Sequence, residues 1–169
     1  MPARGAPSGP IVFGYDGSPA SERSLRLTAP LVAPKRALVV TVWDLRVGFK
    51  VLTPSIPPAP IAIRAALEID ESLYEDARRM AEQGAATARK LGFDAEALAV
   101  ADVLTVAATL VRLARERDAA AIVVGTHGHQ AVREILVGST ARDVIRTAPC
   151  TVTVMRDRKE RDGEDDKAA

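Results

Sequence analysis

The sequence predicts an α/β fold with a five-stranded parallel sheet and helices on both faces. Short apolar runs rich in β-branched residues alternate with long amphipathic stretches along the chain, which is the order of a sheet built from strand–helix crossovers. The runs show no polar alternation, as expected of strands that are buried on both faces. The 169 residues, of which 47% are hydrophobic, suit one domain with a sizeable core. Right-handed crossovers make such a sheet doubly wound, or Rossmann-like.

The first strands and helix follow from local signals. Strands are predicted at residues 11–15 and 37–43, where β-branched and aromatic residues concentrate. Between them a helix should begin with Ser18 as its N-cap and Pro19 at its first position, and run to about residue 32.

A long connection and a long helix come next. Residues 44–63 contain Pro54, Pro57, Pro58 and Pro60, and proline neither donates to a ladder nor continues a helix, so we expect a loop. This loop is either a mobile insertion or a lid or partner contact. Apolar residues then recur at helical spacing and predict one helix that stops at Gly92: Ile69, Leu73, Ala77, Met80, Gly84, Ala88 and Leu91.

The second half of the chain supplies three more strands. They are predicted at residues 95–101, at residues 119–124 with an end at Gly125, and at Thr151–Met155. Helices over about 107–117 and 141–148 separate them. The expected domain spans residues 11–156, with a flexible segment at 1–10 and a charged, disordered tail at 157–169.

Composition excludes several classes of function. The 23 Lys and Arg nearly balance the 22 Asp and Glu, which gives no electrostatic reason to expect a nucleic-acid partner. No stretch is long and apolar enough to predict a membrane span, and the N-terminus does not have the pattern of a secretory signal. The single cysteine, Cys150, excludes an intramolecular disulfide. The expected location is the cytoplasm.

The strongest motif follows the fourth strand. Gly125 and Gly128 are separated by two residues, and Gly138 and Ser139 come nine residues later at the start of a helix. Glycines let the backbone approach a bulky anion, and the free N–H groups and dipole of a helix start attract phosphate. Each residue alone fits a simple turn or cap. Their combination at the carboxyl edge of a parallel sheet favours a phosphate site.

Other nucleotide and hydrolase motifs are missing from the sequence. It has no Gly-Lys-Ser/Thr of a P-loop, no Gly-x-Gly-x-x-Gly after the first strand and no Gly-x-Ser-x-Gly. His127 and His129 flank Gly128, but two histidines without neighbouring cysteines or carboxylates make a poor metal site. We therefore expect no protein metal site and no catalytic residue.

These motifs resemble the universal stress protein family. The resemblance rests on the Gly125, Gly128, Gly138-Ser139 spacing, on the opening stretch 12–18 and on the Ala148–Cys150 ending, and it covers about residues 11–156. It implies a five-stranded parallel sheet, a homodimer formed through the last strand and, in the nucleotide-binding branch, bound ATP, often with a divalent cation such as Mg²⁺ or Mn²⁺. The sequence departs from the family at Thr151, where members often have proline, and in the Pro-rich loop.

The resemblance also implies a set of binding residues. Asp16 would lie by the ribose and adenine with Gly14 beside it, and Val42 would meet adenine through its backbone. The ribose and phosphates would be held by Gly125, Thr126, Gly128, Gly138, Ser139 and Thr140.

Three functions stay open at this point. The leading hypothesis is a nucleotide-responsive regulatory protein in stress adaptation, in which ATP occupancy alters partner binding. The first alternative is an enzyme that hydrolyses or transfers from ATP, but the sequence shows no Walker lysine, acidic pair or base for it, so any ATPase activity would be weak. The second is an interaction protein that binds no nucleotide, against which the intact glycine pattern argues.

Overall fold

A computed structural model describes residues 9–32, 36–44, 60–102, 104–126 and 138–155 of the chain. Within these ranges the chain forms five strands, four α-helices and one short 3₁₀ helix. The strands are β1 (Ile11–Gly14), β2 (Arg36–Asp44), β3 (Asp94–Asp102), β4 (Ala121–Gly125) and β5 (Thr151–Met155). The helices are α1 (Pro19–Thr28), which continues into a 3₁₀ turn (Ala29–Leu31), α2 (Pro60–Lys90), α3 (Val106–Glu116) and α4 (Ser139–Thr147).

The strands form one parallel sheet in the order β3-β2-β1-β4-β5. The chain builds outward from β1 to β3, then returns to place β4 on the other side of β1. The strand order therefore reverses between β1 and β4, and crevices for ligands open at the carboxyl ends of strands at such a point. The predicted doubly wound, five-stranded fold is confirmed.

Two apolar cores cover the two faces of the sheet. On one face, Val12 and Ile122 pack with Leu110 of α3 and Val144 of α4. On the other, residues that alternate with these, such as Phe13, pack against α1 and α2. This alternation explains the continuous apolar runs in the sequence, because each strand residue has a helix above it or below it.

The predicted signals at helix ends act as expected. The Ser18 hydroxyl accepts the Ser21 N–H at 3.2 Å, so Ser18 is the N-cap of α1, and Pro19 occupies the first helical position. Gly92 follows α2 with φ of 88°, a left-handed conformation that glycine adopts without strain.

Two predicted boundaries differ from the structure. The loop expected over residues 44–63 is wrong at both ends, because β2 runs to Asp44 and α2 begins at Pro60. At a first helical position the missing N–H of proline would have no helical partner in any case, and its fixed φ suits the helix. Helix α1 ends at Thr28 rather than near residue 32, and a 3₁₀ turn containing Pro30 follows it. Residues 45–59 lie outside the described part of the chain.

The described helices include none long and apolar enough to cross a membrane. The predictions for residues 1–8 and 157–169 lie outside the described residues, so the segment and tail assigned to them stay predictions.

Candidate functional site

A cavity of about 190 Å³ opens at the carboxyl edge of the sheet, where β1 and β4 lie side by side. Five residues that the sequence singled out line it: Gly14, Asp16, Val42, Gly125 and Thr140. Seven more residues complete its described walls: Tyr15, Ser18, Ser21, Val40, Val106, Leu110 and Val124. The structure thus brings together residues that are far apart in sequence, at the edge that parallel-sheet topology favours.

Gly14 ends β1 beneath helix α3. A Cβ atom at this position would lie 3.1 Å from a Leu110 methyl carbon and 3.2 Å from a Val124 methyl carbon. These distances are tighter than ordinary van der Waals contact, so a side chain at Gly14 would displace its neighbours. The absence of a side chain lets Leu110 and Val124 form the floor of the cavity.

Asp16 lies in the turn between β1 and α1. One of its carboxylate oxygens, Oδ1, accepts the Ser18 N–H at 3.0 Å. Gly17, between them, has φ of 73°, which the tight turn requires. The turn holds the half-buried carboxylate at the cavity wall.

Hydrogen bonds fix both the backbone and the side chain of Tyr15. Its N–H donates to the Val40 carbonyl and its carbonyl accepts the Thr41 hydroxyl, each at 2.9 Å. Its phenol donates to Glu22 of α1. Burial, and then the hydrogen bond and negative charge of Glu22, raise the pKa of the phenol above its ordinary value. The side chain therefore stays neutral at any physiological pH.

The backbone N–H and C=O of Val42 face the cavity. Neighbouring residues of a strand point their N–H and C=O groups to opposite sides, so groups two residues apart point the same way. Because the Val40 carbonyl faces β1 and binds Tyr15, the N–H and C=O of Val42 also face the β1 side. The paired part of β1 ends at Gly14, opposite Val40, so Val42 lies beyond it, at the wall of the cavity.

Ser18, Ser21 and Thr140 contribute polar residues to the remaining walls, and the other side chains there are apolar. Val40, Val124 and Leu110 are buried, and Val106 lies one helical turn from Leu110 on α3. Sequence reasoning missed Val106 and Leu110, because apolar residues at helical spacing look the same whether they line a core or a ligand site. Together these side chains make a narrow apolar slot whose rim carries polar backbone groups, a combination typical of small-molecule sites.

The start of α4 is joined to the end of β4. The Thr126 N–H donates to the Met155 carbonyl and the Gly138 N–H donates to the Thr126 carbonyl, both at 2.8 Å. A Cβ atom at Gly138 would lie 2.9 Å from that Thr126 oxygen. Glycine is therefore required here by a close approach of two backbone segments.

Gly138 is the N-cap of α4, and no side chain caps the helix. The interpretation of Ser139 as a helix cap is wrong, because Ser139 is the first residue of the helix and its side chain is exposed. Thr140 lines the cavity. Since the first N–H groups of a helix have no intrahelical partner, α4 presents donors and a positive dipole end beside the cavity.

Some sequence candidates lie outside the described residues: Gly128, His127 and His129. In the part of the chain that the structure describes, no group of three or more His, Cys, Asp or Glu side chains could hold a metal ion.

A larger cavity, of about 370 Å³, lies at the opposite, amino edge of the sheet. Its charged residues are two arginines and three carboxylates: Arg36, Arg117, Asp94, Glu96 and Asp118. Arg117 is within 4.0 Å of Glu96. The excess of carboxylates makes this cavity a poor site for an anion, whereas the carboxyl-edge cavity has a helix N-terminus beside it.

Comparison with known proteins identifies the family. The model of the universal stress protein family matches residues 8–156. No match is found among curated proteins.

Solved structures give the same fold. The hypothetical protein MJ0577 superposes with a TM-score of 0.71 at 20% identity, over 90% of this chain and 99% of its own. A protein of the universal stress protein family from Burkholderia pseudomallei gives 0.64 at 26% identity, over 90% and 98%. The universal stress protein from Archaeoglobus fulgidus in complex with dAMP gives 0.57 at 25% identity, over 88% and 98%. With the family model matched along nearly the whole chain, this protein belongs to the universal stress protein family.

Proposed function

We propose that this chain binds an adenine nucleotide, with ATP as its ligand in the cell, and acts as a nucleotide-responsive regulatory protein in stress adaptation. The observation that carries the proposal is the carboxyl-edge cavity, which joins an apolar slot, an aspartate and a helix N-terminus. The ligand would place one chemically distinct part against each of these.

The slot suits the base. Val40, Val106 and Leu110 offer apolar surface on which a flat aromatic ring can lie. The N–H and C=O of Val42 face the same side, and adenine offers an acceptor, N1, next to its amine donor. Guanine offers a donor and an acceptor in the reverse order. A fixed backbone donor and acceptor therefore select adenine over guanine.

Asp16 suits the ribose. A carboxylate accepts hydrogen bonds from hydroxyl groups, and its charge strengthens them. The turn to Ser18 fixes the carboxylate at the wall, so little conformational freedom is lost when the sugar binds. Gly14, alongside, lets Leu110 and Val124 form the apolar floor against which the sugar and base would lie.

The phosphates would lie toward α4. Its unpaired N–H groups, the dipole of its nine residues and the hydroxyls of Ser139 and Thr140 can all serve phosphate oxygens. Gly125, Thr126, Gly128 and Gly138 would complete this part of the site. The described cavity, at about 190 Å³, is smaller than the roughly 300–1,000 Å³ typical of ligand pockets. It accordingly suits the nucleoside end, with the phosphates extending out along α4.

A divalent cation, Mg²⁺ or Mn²⁺, would be held chiefly by the phosphates. Mg²⁺ commonly keeps several waters and binds through phosphate oxygens rather than through a protein cage. This matches a described site in which no cluster of three acidic or histidine ligands is found.

A related protein supports adenine as the base. The Archaeoglobus fulgidus family member, 25% identical to this chain, was solved in complex with dAMP. We extend adenine recognition from that relative to this chain because the cavity described above offers the matching groups.

One backbone hydrogen bond connects the proposed nucleotide site to the edge of the sheet. Thr126, between β4 and the phosphate side of the site, donates to Met155 at the end of β5. β5 is an edge strand, and edge strands pair readily with a second copy. We propose a homodimer through β5 whose stability changes with nucleotide occupancy.

Calorimetric titration tests the binding. Wild type should bind ATP, AMP and adenosine, and bind GTP more weakly. Asp16→Asn keeps the size of the side chain but removes its charge, and should weaken adenosine about tenfold. Asp94→Asn, at an exposed position on the opposite edge, is the matched control and should bind as wild type does. Failure of wild type to bind any adenine nucleotide would refute the proposal, and equal affinity for ATP and GTP would refute adenine selection.

A further inference from the structure

The Thr41 side chain lies on the face of β2 opposite the cavity, and the proposed site does not use it. Along β2, Val40 and Val42 belong to the face covered by α3, and the intervening Thr41 points to the face covered by α1 and α2. Thr41 is buried, at 6% exposure. A buried hydroxyl in an apolar layer is costly unless it makes a hydrogen bond.

That hydrogen bond is made with the backbone of the binding turn. The Thr41 hydroxyl donates to the Tyr15 carbonyl at 2.9 Å, across 26 residues of sequence. Tyr15 directly precedes Asp16. The hydroxyl therefore ties the turn that carries the aspartate to the neighbouring strand.

The hydrogen bond also changes how the β1–β2 ladder ends. Tyr15 donates its N–H to the Val40 carbonyl, and in a regular parallel ladder its carbonyl would next accept the N–H of Val42. Here the Tyr15 carbonyl is turned to the Thr41 hydroxyl, and the paired residues of the ladder end at Gly14 and Val40. The N–H of Val42 is thereby kept for a ligand rather than used within the sheet.

We infer that Thr41 is a positioning residue for adenine recognition, which ends the β1–β2 ladder at Tyr15 and keeps the Val42 N–H directed to the cavity. This inference rests on the proposed nucleotide function. Thr41 acts through Tyr15 and Val42 and does not line the cavity itself.

The test replaces Thr41 by valine and by serine. Valine keeps the shape and suits a strand, but it removes the donor that orients the Tyr15 carbonyl, which can then turn to accept the Val42 N–H. Thr41→Val should bind adenosine and AMP about five- to tenfold more weakly, as expected for loss of one hydrogen bond to the base. Both ligands should weaken equally, because the phosphate contacts are untouched. Thr41→Ser keeps the hydroxyl and should restore the affinity.

Thr28→Val is the matched control. Thr28 is buried to the same degree, at 4% exposure, and its hydroxyl has no hydrogen-bond partner among the described residues. The same change of chemistry there should leave adenosine affinity unaltered. If Thr28→Val weakens binding as much as Thr41→Val, the effect is general and the inference fails.

Amide hydrogen exchange at Val42 gives a readout that general destabilisation would not produce. In Thr41→Val without ligand, the Val42 amide should exchange more slowly than in wild type, because it joins the ladder, whereas a loosened fold would speed exchange. Unchanged or faster exchange at Val42 would overturn the inference even if affinity falls. Unchanged affinity in Thr41→Val would also overturn it.

Failure of the proposed function is separable from failure of this inference. If wild type binds no adenine nucleotide, the proposed function is refuted, and exchange at Val42 still decides whether Thr41 ends the ladder. Slower exchange in Thr41→Val would then support the ladder-ending role, and unchanged exchange would overturn it.

Discussion

Replacing Ser139 by alanine should separate phosphate binding from helix stability. Ser139 is the first residue of α4, its side chain is exposed, and the cap position belongs to Gly138. The substitution therefore removes no cap. Alanine is favoured over serine in helices by about half a kilocalorie per mole, so the free energy of unfolding without ligand should stay equal or rise slightly.

Binding of phosphate-bearing ligands should change much more. A hydrogen bond from a hydroxyl to a charged phosphate contributes about 1.5–3 kcal/mol. Because about 1.4 kcal/mol is a factor of ten in affinity, Ser139→Ala should weaken ATP roughly tenfold to hundredfold. Adenosine has no phosphate to lose, so its affinity should hardly change.

The assay is a pair of calorimetric titrations, with ATP and with adenosine, on wild type and Ser139→Ala, together with urea unfolding of both proteins. Ser72→Ala is the matched control, since Ser72 is an exposed residue within α2, far from the helix start at issue. Equal weakening of ATP and adenosine would indicate distortion of α4. Unchanged ATP affinity would refute the placement of phosphate at this helix.

Four further predictions concern close contacts, protonation and assembly. Gly138→Ala places a Cβ atom 2.9 Å from the Thr126 carbonyl oxygen, which should lower the free energy of urea unfolding by about 1–3 kcal/mol; wild-type stability would contradict the close approach. Gly84→Ala places a Cβ atom 2.8 Å from both the Tyr15 ring and a Val39 methyl carbon. The cost of overpacking, about 1–3 kcal/mol, should exceed the gain in helix propensity of about 1 kcal/mol, so the variant should unfold at a lower temperature than wild type. A variant that is more stable in thermal unfolding would refute this expectation. Burial and Glu22 raise the pKa of Tyr15. The folded state is therefore favoured below the ordinary phenol pKa of 10.0 and loses stability as the pH rises above it. In Tyr15→Phe this loss of stability at high pH should be smaller, as measured by urea unfolding at a series of pH values. Sedimentation should show a dimer that dissociates on dilution, and a monomer mass at every concentration would exclude pairing through β5.

The fold could be predicted because its signals are local. Short apolar runs, β-branched in four strands and alanine-rich in β3, predicted all five strands. Ser18, Pro19 and Gly92 marked helix ends through local chemistry and backbone preferences that act within a few residues. The start of α2 was missed because proline both breaks helices and begins them. Local propensity does not distinguish these two roles of proline.

The candidate site was predicted in part. Asp16 and Gly125 could be placed at one edge because parallel strands end together. The spacing of Gly138 and Ser139 indicated a helix start, but which of the two is the cap depends on backbone angles. The sequence does not distinguish Leu110 from an ordinary core residue, and it gives no signal for Thr41, because the hydrogen-bond partner of Thr41 lies on another strand. Contacts of this kind depend on tertiary packing rather than on sequence spacing.

The residues that line the cavity come from distant parts of the sequence, and this has a consequence for folding. Asp16 follows the first strand and Thr140 lies in the last described helix, so a fragment that lacks either end lacks part of the cavity, and a growing chain completes the cavity only when α4 has left the ribosome. A ligand held there would recognise only the fully folded molecule. At a hundred times its dissociation constant it would add about 2.7 kcal/mol to the stability of that state. The concentration of free ligand would then set the fraction of molecules that are unfolded and open to proteolysis, and so the lifetime of the protein in the cell.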